Sequence, residues 1–550
     1  GFVRFLNGFY LTLITQRKEV GCIAGNFIYS IKATEMFPIR PKEEKESNTF
    51  RTLWKKLNKK LNQTTSEIAE NRYMGLFQFV DMTKDFFFSY SYDLTRSLQH
   101  NYIHSTASTS SSPLEMFEWN NYQIHELREV IGSDESAQWT LPIIHGSYQQ
   151  KRFSLFGRAV DLVLVARRSR HYAGTRYLKR GLNVHGKVAN DCEVEQILQC
   201  DGGAEVLFTS YVQMRGSIPT YWHQETSVTM PKPPILLNRV DPDYLATQEH
   251  FADLFRRYGA PLIVLDLVKQ HEKRPRESIV GREFRQAVEV LNESIPMDRK
   301  IRYIALDYSK ITSISKGKLS KAKTKNSGFL GYGGKDKERA MAVVGDEWAL
   351  MEKSLVKDQS SSGSVAGKSK PDISLTNLDE ARKDFQSTVV PGSFSTKSGT
   401  GLPVGYDSIA EINAVESKID VLRELEDVAH LTIFETGFFC SSLQYLERVK
   451  DCIPQTTYEK AKRDKILFQN GVLRTNCIDC LDRTNGGQFA VAMRFLLVSL
   501  QALGISSPHL LSLDLSKDPL LLSLMEMYGE MGDKIALQYG GSEAHKKVFA

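Results

Sequence analysis

A short apolar run, a polar loop and a long apolar helix follow one another between Val472 and Leu500. That succession constrains the fold more than any other stretch of the chain. The loop reads Arg474-Thr-Asn-Cys477-Ile478-Asp479-Cys480-Leu481-Asp482-Arg483-Thr484-Asn485, with a cysteine and an arginine in the pattern C-x5-R-T. A loop of this length curls round one phosphate-sized anion, its backbone N–H groups turned inward as a nest. Arg483 offers a planar fork for two anion oxygens. Cys477 sits at the floor, where those donors favour the thiolate; a thiol of ordinary pKa ~8.5 falls by several units in such a site. Ile478, Cys480, Leu481, Asp482, Thr484 and Asn485 complete the anion-binding loop. Upstream, Lys465–Gln469 and Val472–Thr475 flank Asn470-Gly471, which predicts a β-hairpin. Downstream, Gln488–Leu500 is mostly apolar and rich in helix formers, which predicts a buried helix. Strand, loop and helix N-terminus together place the helix dipole on a bound anion. Gly486 and Gly487 let the backbone come close.

Other uses of Cys477-x-x-Cys480 fit less well. A zinc site needs two more ligands, and the nearby Cys440 and Cys452 lack knuckle spacing. A redox dithiol has no need of the arginine or the two aspartates. An inert core cysteine suits an apolar surrounding rather than this polar loop. The residues therefore point to a thiolate aimed at a phosphate ester, with no metal ligand set.

The chain has 550 residues, enough for two or more domains. Its net charge of +6 is mild; it favours contact with an anionic membrane surface and falls short of the basic bias that a nucleic-acid surface requires. No apolar run reaches the ~18 residues that span a bilayer. The start at Gly1 inside a strand-like segment reads as a fragment of a longer protein. Seven cysteines, an odd and sparse set, suggest a reducing, cytosolic compartment.

The fold expected is α/β and α+β. Residues 1–140 read as a mostly antiparallel β domain with helices: Phe2–Leu6 and Phe9–Thr15 flank Asn7-Gly8, a second hairpin signal. Residues 41–71 are polar and lysine-rich, a solvated helix face in preference to a membrane patch, and His104–Pro113 reads as a loop. Residues 141–550 read as an α/β domain with a central mixed sheet. In it Ala159–Ala166 and Pro261–Val268 are continuous apolar runs, as in strands buried on both faces. Within that domain about 350–404 is rich in Ser, Gly and Lys and is expected to be a disordered insertion. Helical periodicity resumes at Ser408 and runs through Ile419, Leu422, Leu425 and Leu431.

The loop fits R-x-N-C-x-D-C-L-D-R-T-N at every fixed position, and so resembles the signature of the SAC-domain phosphoinositide phosphatases. Gly174-Thr-Arg176-Tyr177-Leu-Lys179-Arg180-Gly181 with its basic lead-in resembles that family's A-G-x-R-Y-x-x-R-G. Asn190-Asp191-Cys-Glu193-Val-Glu195-Gln196 resembles its N-D-x-E-x-E-Q. Arg215-Gly216-Ser217-Ile-Pro219 with Trp222 and Gln224 resembles its R-G-S-x-P-x-x-W-x-Q. Met230–Ile235, Tyr258–Val268 and Met527–Ser542 look like the vacuolar or endolysosomal branch. The chain departs from the family where Ser309 stands for a usual histidine after Asp307, His223 for a serine and Thr220 for a bulky apolar residue.

The resemblance implies removal of a phosphate from an inositol ring through a phosphocysteine on Cys477, with Arg483 on the phosphoryl oxygens. The substrate it implies is phosphatidylinositol 3,5-bisphosphate, cut to the 3-phosphate. It implies no required cofactor, with Mg²⁺ at most a stimulant. It also implies a cytosolic protein held peripherally on endolysosomal or vacuolar membrane. Asp479 is the first choice as general acid, as the similar spacing in myotubularin phosphatases suggests; Asp482 is the alternative, or it orients Arg483. Two rival readings are a scaffold subunit of a lipid-kinase complex and a phosphatase for phosphoproteins or phosphatidylinositol monophosphates. Arg167, Arg168, Arg170, Arg176, Lys179 and Arg180 form a basic cluster. It reads either as a solvated loop with surface ion pairs or as a collar for substrate phosphates.

Overall fold

The computed structural model describes residues 1–6, 8–39, 68–107, 113–176, 178–203, 205–224, 233–237, 239, 241–307, 425–505 and 518–543. The 350–404 insertion, most of the lysine-rich stretch and the periodicity before Leu425 lie outside them.

In chain order the strands are β1 (Phe2–Arg4), β2 (Phe9–Ile23), β3 (Asn26–Ile39), β4 (Phe86–Phe88), β5 (Ile144–Leu155), β6 (Arg158–Arg168), β7 (Cys192–Asp201), β8 (Val206–Arg215), β9 (Trp222–Gln224), β10 (Ile235–Leu237), β11 (Leu262–Asp266), β12 (Arg302–Ala305), β13 (Phe439–Cys440) and β14 (Val472–Asn476). All but the β9–β10 ribbon belong to one 12-stranded mixed sheet. Pairing is antiparallel from β1 through β8 and parallel from β8 through β14 and β11 to β12. The sheet runs on without a break from β4 to β5, where Phe86 lies opposite His145.

The helices that position the candidate site are α1 (Leu98–Ala107), α2 (Asn121–Ile131), α3 (Ser133–Ala137), α4 (Leu245–Tyr258), α5 (Glu277–Ser294), α6 (Glu426–Thr436), α7 (Gln455–Asp464), α8 (Asp482–Ala502) and α9 (Pro519–Gly540). Alternation along β11 shows why its run is apolar from Leu262 through Leu265. Ile263 and Leu265 pack with α6, α8 and α9, while Leu262 and Val264 pack with α4 and α5. Successive side chains point to opposite faces, so a strand covered on both sides carries no polar alternation. β6 behaves alike: Val160, Leu162 and Leu164 join the first core, Val163 and Val165 a core beneath α1. Helix α9 starts where Asp518 accepts hydrogen bonds from Leu520 N and Leu521 N ahead of Pro519 at the first helical position.

Two sequence expectations give way. The hairpin at Asn470-Gly471 does not form. Both edges of β14 are taken by the parallel strands β8 and β11, and no antiparallel neighbour can join. Leu467 bridges to Cys440 instead. Gly471 is required for another reason: its φ is +83°, and an added Cβ would lie 2.0 Å from Pro261 O. The loop expected from His104 begins later, because α1 continues to Ala107.

Candidate active site

Strands β8, β14 and β11 run in one direction, and their carboxyl ends lie side by side. Arg215 is opposite Thr475, and Asp266 is opposite Asn476. The crevice outside such strand ends is where α/β sheets bind ligands. The chain leaves β14 at Asn476, turns through residues 477–481 and enters α8 at Asp482. The helix thus begins six residues before the expected Gln488, and Arg483 stands in its first turn.

Cys480 adopts φ +51°, an uncommon conformation for a side-chain-bearing residue. Its N–H turns back to Cys477 Sγ at 3.0 Å, and Thr484 Oγ1 lies 3.2 Å from the same sulfur. Burial and, to a lesser degree, the Asp479 charge raise the Cys477 pKa. Hydrogen bonding from Cys480, the charge of Arg483 and the Thr484 hydroxyl outweigh them and bring the thiol down to about 6. Cys480 moves the other way: burial, then the neighbouring Cys477, push it well above the ordinary value. Its S–H donates to Gly216 O at 2.7 Å and Cys477 O at 3.0 Å. The two neighbouring thiols are shifted in opposite directions.

Buried arginines hold the loop from behind. Arg215 donates through Nη2 to Cys480 O and to Leu481 O, the latter at 3.0 Å, and through Nη1 to Asn485 Oδ1 at 3.2 Å. Arg474 Nε donates to His250 Nε2 at 2.9 Å and Nη2 to Ser217 O at 2.6 Å. Asn476 Nδ2 donates to Asp266 Oδ1 at 2.8 Å, and Tyr303 OH to Asp266 Oδ2 at 2.5 Å. Burial raises the Asp266 carboxyl to about 6. Asn485 Nδ2 reaches Tyr528 O at 2.7 Å and straps α8 to α9. Leu481 is buried against α8 and α9, and Ile478 against the α4–α5 side.

The acid candidates differ in setting. Asp479 Oδ1 lies 2.6 Å from Arg180 Nη1. Nη1 also donates to Ile478 O, 3.0 Å away, so one guanidinium nitrogen ties Asp479 to the loop backbone. Asp479 Oδ1 is buried while the side chain as a whole is 40% exposed. Asp482 sits half-buried in the first turn of α8.

Of the basic cluster, Arg180 reaches the loop; Nη2 also donates to Gln224 Oε1 at 2.8 Å, and the guanidinium lies over Trp222. Arg167 is fully buried and pairs with Glu193 at 2.9 Å and Glu195 at 2.6 Å, joining β6 to β7. Arg168 is buried over the Trp119 ring. Arg170 pairs with Glu115 and Lys179 lies over Tyr172. Arg176 borders Gly540, as does Leu481.

Three residues near the loop had no assigned role in the sequence reading. Asp266 carries a signal, a lone carboxylate inside the apolar run 261–268, and Arg215 lies in the Arg215-Gly216-Ser217 motif at the end of β8. Glu277 carries none. It accepts from Arg483 Nη1 at 2.7 Å and Nη2 at 3.1 Å. Burial opposes the Arg483 charge, but Cys477 and Glu277 raise its pKa further. Among the described residues no group of three or more His, Cys, Asp or Glu could hold a metal ion, and no helix is long and apolar enough to cross a membrane.

The SacI homology domain matches residues 1–313; the cysteine loop lies beyond that match. The phosphatidylinositol-3-phosphatase SAC1 of Arabidopsis thaliana is 37% identical over 552 residues, covering 100% of this chain and 52% of its own length. The Arabidopsis phosphoinositide phosphatase SAC4 is 35% identical over 555 residues, covering 100% of this chain and 55% of its own length. The polyphosphoinositide phosphatase of Schizosaccharomyces pombe is 32% identical over 554 residues, covering 98% of this chain and 49% of its own length. The chain spans about half the length of these curated relatives. With a match over more than half its residues, the chain belongs to the SacI homology domain family.

Proposed function

We propose that this chain is a phosphoinositide phosphatase, a phosphoric monoester hydrolase that works through a phosphocysteine. The observation that carries the reading is the buried Cys477 sulfur, which accepts from Cys480 N–H and Thr484 Oγ1 and whose pKa is lowered beside the Arg483 guanidinium. The relatives' names support the substrate class.

Cys477 Sγ attacks the ester phosphorus in line, forming S–P as the P–O bond to the inositol breaks. Arg483 and the loop amides stabilise the equatorial oxygens, where charge gathers. Asp479 delivers a proton to the leaving alkoxide; Arg180 fixes its Oδ1 and leaves Oδ2 for that task. Such a positioned acid contributes roughly 10²–10⁴-fold. Water then attacks phosphorus, Asp479 takes its proton, and Cys477 leaves as thiolate.

The substrate we assign is phosphatidylinositol 3,5-bisphosphate, cut to the 3-phosphate. One phosphate enters the loop, and the positive charge of Arg180 beside Asp479 favours a second anionic group nearby. The protein then acts at an anionic endolysosomal or vacuolar membrane surface, alone or within a lipid-kinase complex. The test is phosphate release from a panel of short-chain phosphoinositides and phosphopeptides, with and without Mg²⁺. The 3,5-bisphosphate should turn over fastest, Cys477→Ser should abolish release, and Cys480→Ser should leave much of it. Preference for a monophosphate or removal of the 3-phosphate would overturn the substrate, preference for phosphopeptides the substrate class. No turnover in any condition would favour the scaffold.

A further inference from the structure

A guanidinium has five N–H donors in a fixed fork. In Arg483 three of them are already placed. Nη1 donates to Leu267 O at 3.0 Å and to Glu277 Oε2 at 2.7 Å; Nη2 donates to Glu277 Oε1 at 3.1 Å. The carboxylate therefore meets the fork end-on, across both terminal nitrogens. What remains is the Nε–H and the outer Nη2–H, two parallel donors along one edge, with no acceptor among the described residues. That edge has the geometry that grips two oxygens of a phosphoryl group.

Glu277 is itself held. It is the first residue of α5, and its Oε2 accepts from Lys269 N at 3.3 Å. One turn on, Gly281 lets the helix settle against the end of β11. A Cβ there would lie 2.8 Å from Val268 Cγ2 and 3.6 Å from Asp266 Oδ2. Helix α5 and the β11 end thus meet Arg483 as one rigid support, through Glu277 and Leu267 O.

We propose that Glu277 is a positioning residue for phosphoryl transfer: it fixes the Arg483 fork so that its Nε/Nη2 edge is presented to the phosphoryl group on Cys477. The inference rests on the phosphatase reading above. Glu277 touches neither substrate nor sulfur; it acts through Arg483. A group so held needs no reorientation when charge gathers on the phosphoryl oxygens, whereas a fork free to turn misplaces its donors, and misplacement of about 1 Å costs on the order of 10²-fold.

The test uses the whole chain as Glu277→Gln, Arg483→Lys and the double variant. Readouts are kcat and KM on a short-chain phosphoinositide, inhibition by inorganic vanadate, and thermal unfolding. Glu277→Gln should lower kcat roughly 10–100-fold with KM changed far less, and weaken vanadate in step, because both depend on the trigonal phosphoryl geometry. In the Arg483→Lys background the same change should add little, since two residues acting as one unit are non-additive. An unchanged kcat, a raised kcat, or full additivity with Arg483→Lys would overturn the role. A fall in kcat matched by a lower unfolding temperature and unchanged vanadate binding would mark a merely structural contact and overturn it too. Absence of turnover in the unmutated chain would instead contradict the phosphatase reading, and vanadate binding would still report on Glu277.

Discussion

Cys477 and Cys480 are three residues apart and equally buried, yet their protons are treated oppositely. Burial raises both; at Cys477 hydrogen bonding from Cys480, the Arg483 charge and the Thr484 hydroxyl outweigh it, whereas at Cys480 the neighbouring Cys477 adds to it. The Cys477 sulfur accepts from an N–H and a hydroxyl, while the Cys480 sulfur donates to two carbonyls. Alkylation by iodoacetamide should therefore select Cys477 near neutral pH, rising with pH through a midpoint below that of an ordinary thiol. Thr484→Val removes one donor to the sulfur and should move the midpoint upward, slowing the reaction below it about tenfold per pH unit of displacement. A midpoint unmoved by that change would place the control of the thiolate elsewhere. Arg483→Lys should be severe for turnover, because a point charge does not reproduce the paired edge.

At the scale of elements, the loop is held where parallel strand ends meet helix starts. Gly532 lets α9 lie close to α8, for a Cβ there would come within 2.7 Å of Asn485 Nδ2. Gly532→Ala should force Asn485 off Tyr528 O and Arg215, at a cost of about 1–3 kcal/mol, readable by urea denaturation. The apolar runs of β6 and β11 and the strand–loop–helix succession were legible in the sequence because they follow from local patterning. The Asn470-Gly471 hairpin was misread because the local turn signal is genuine, but a non-local fact decides: β14 has neighbours on both edges. The basic cluster shows the same limit. Six cations adjacent in sequence are sorted by burial, Arg167 to a buried ion pair between strands, Arg180 to the loop. Glu277 comes 206 positions before Arg483, and no local pattern links them.

At the scale of the whole molecule, one sheet joins the antiparallel N-terminal strands to the parallel strands that end at the cysteine. Residues 350–404 lie outside the described residues, and their Ser-, Gly- and Lys-rich composition offers little to a core. Replacing them with a short linker should leave the melting temperature nearly unchanged; a large drop would show that the segment packs on the rest. In the proposed reaction an S–P bond on Cys477 forms and breaks once per turnover. Its direct measurement is rapid acid quench of the chain turning over a short-chain phosphoinositide, followed by mass spectrometry of the Cys477 peptide. A phosphocysteine mechanism predicts one phosphate on Cys477 in the pre-steady state, absent in Cys477→Ser, with Asp479→Asn altering how much builds up. Turnover with no phosphate on Cys477, or with phosphate on another residue, would contradict it.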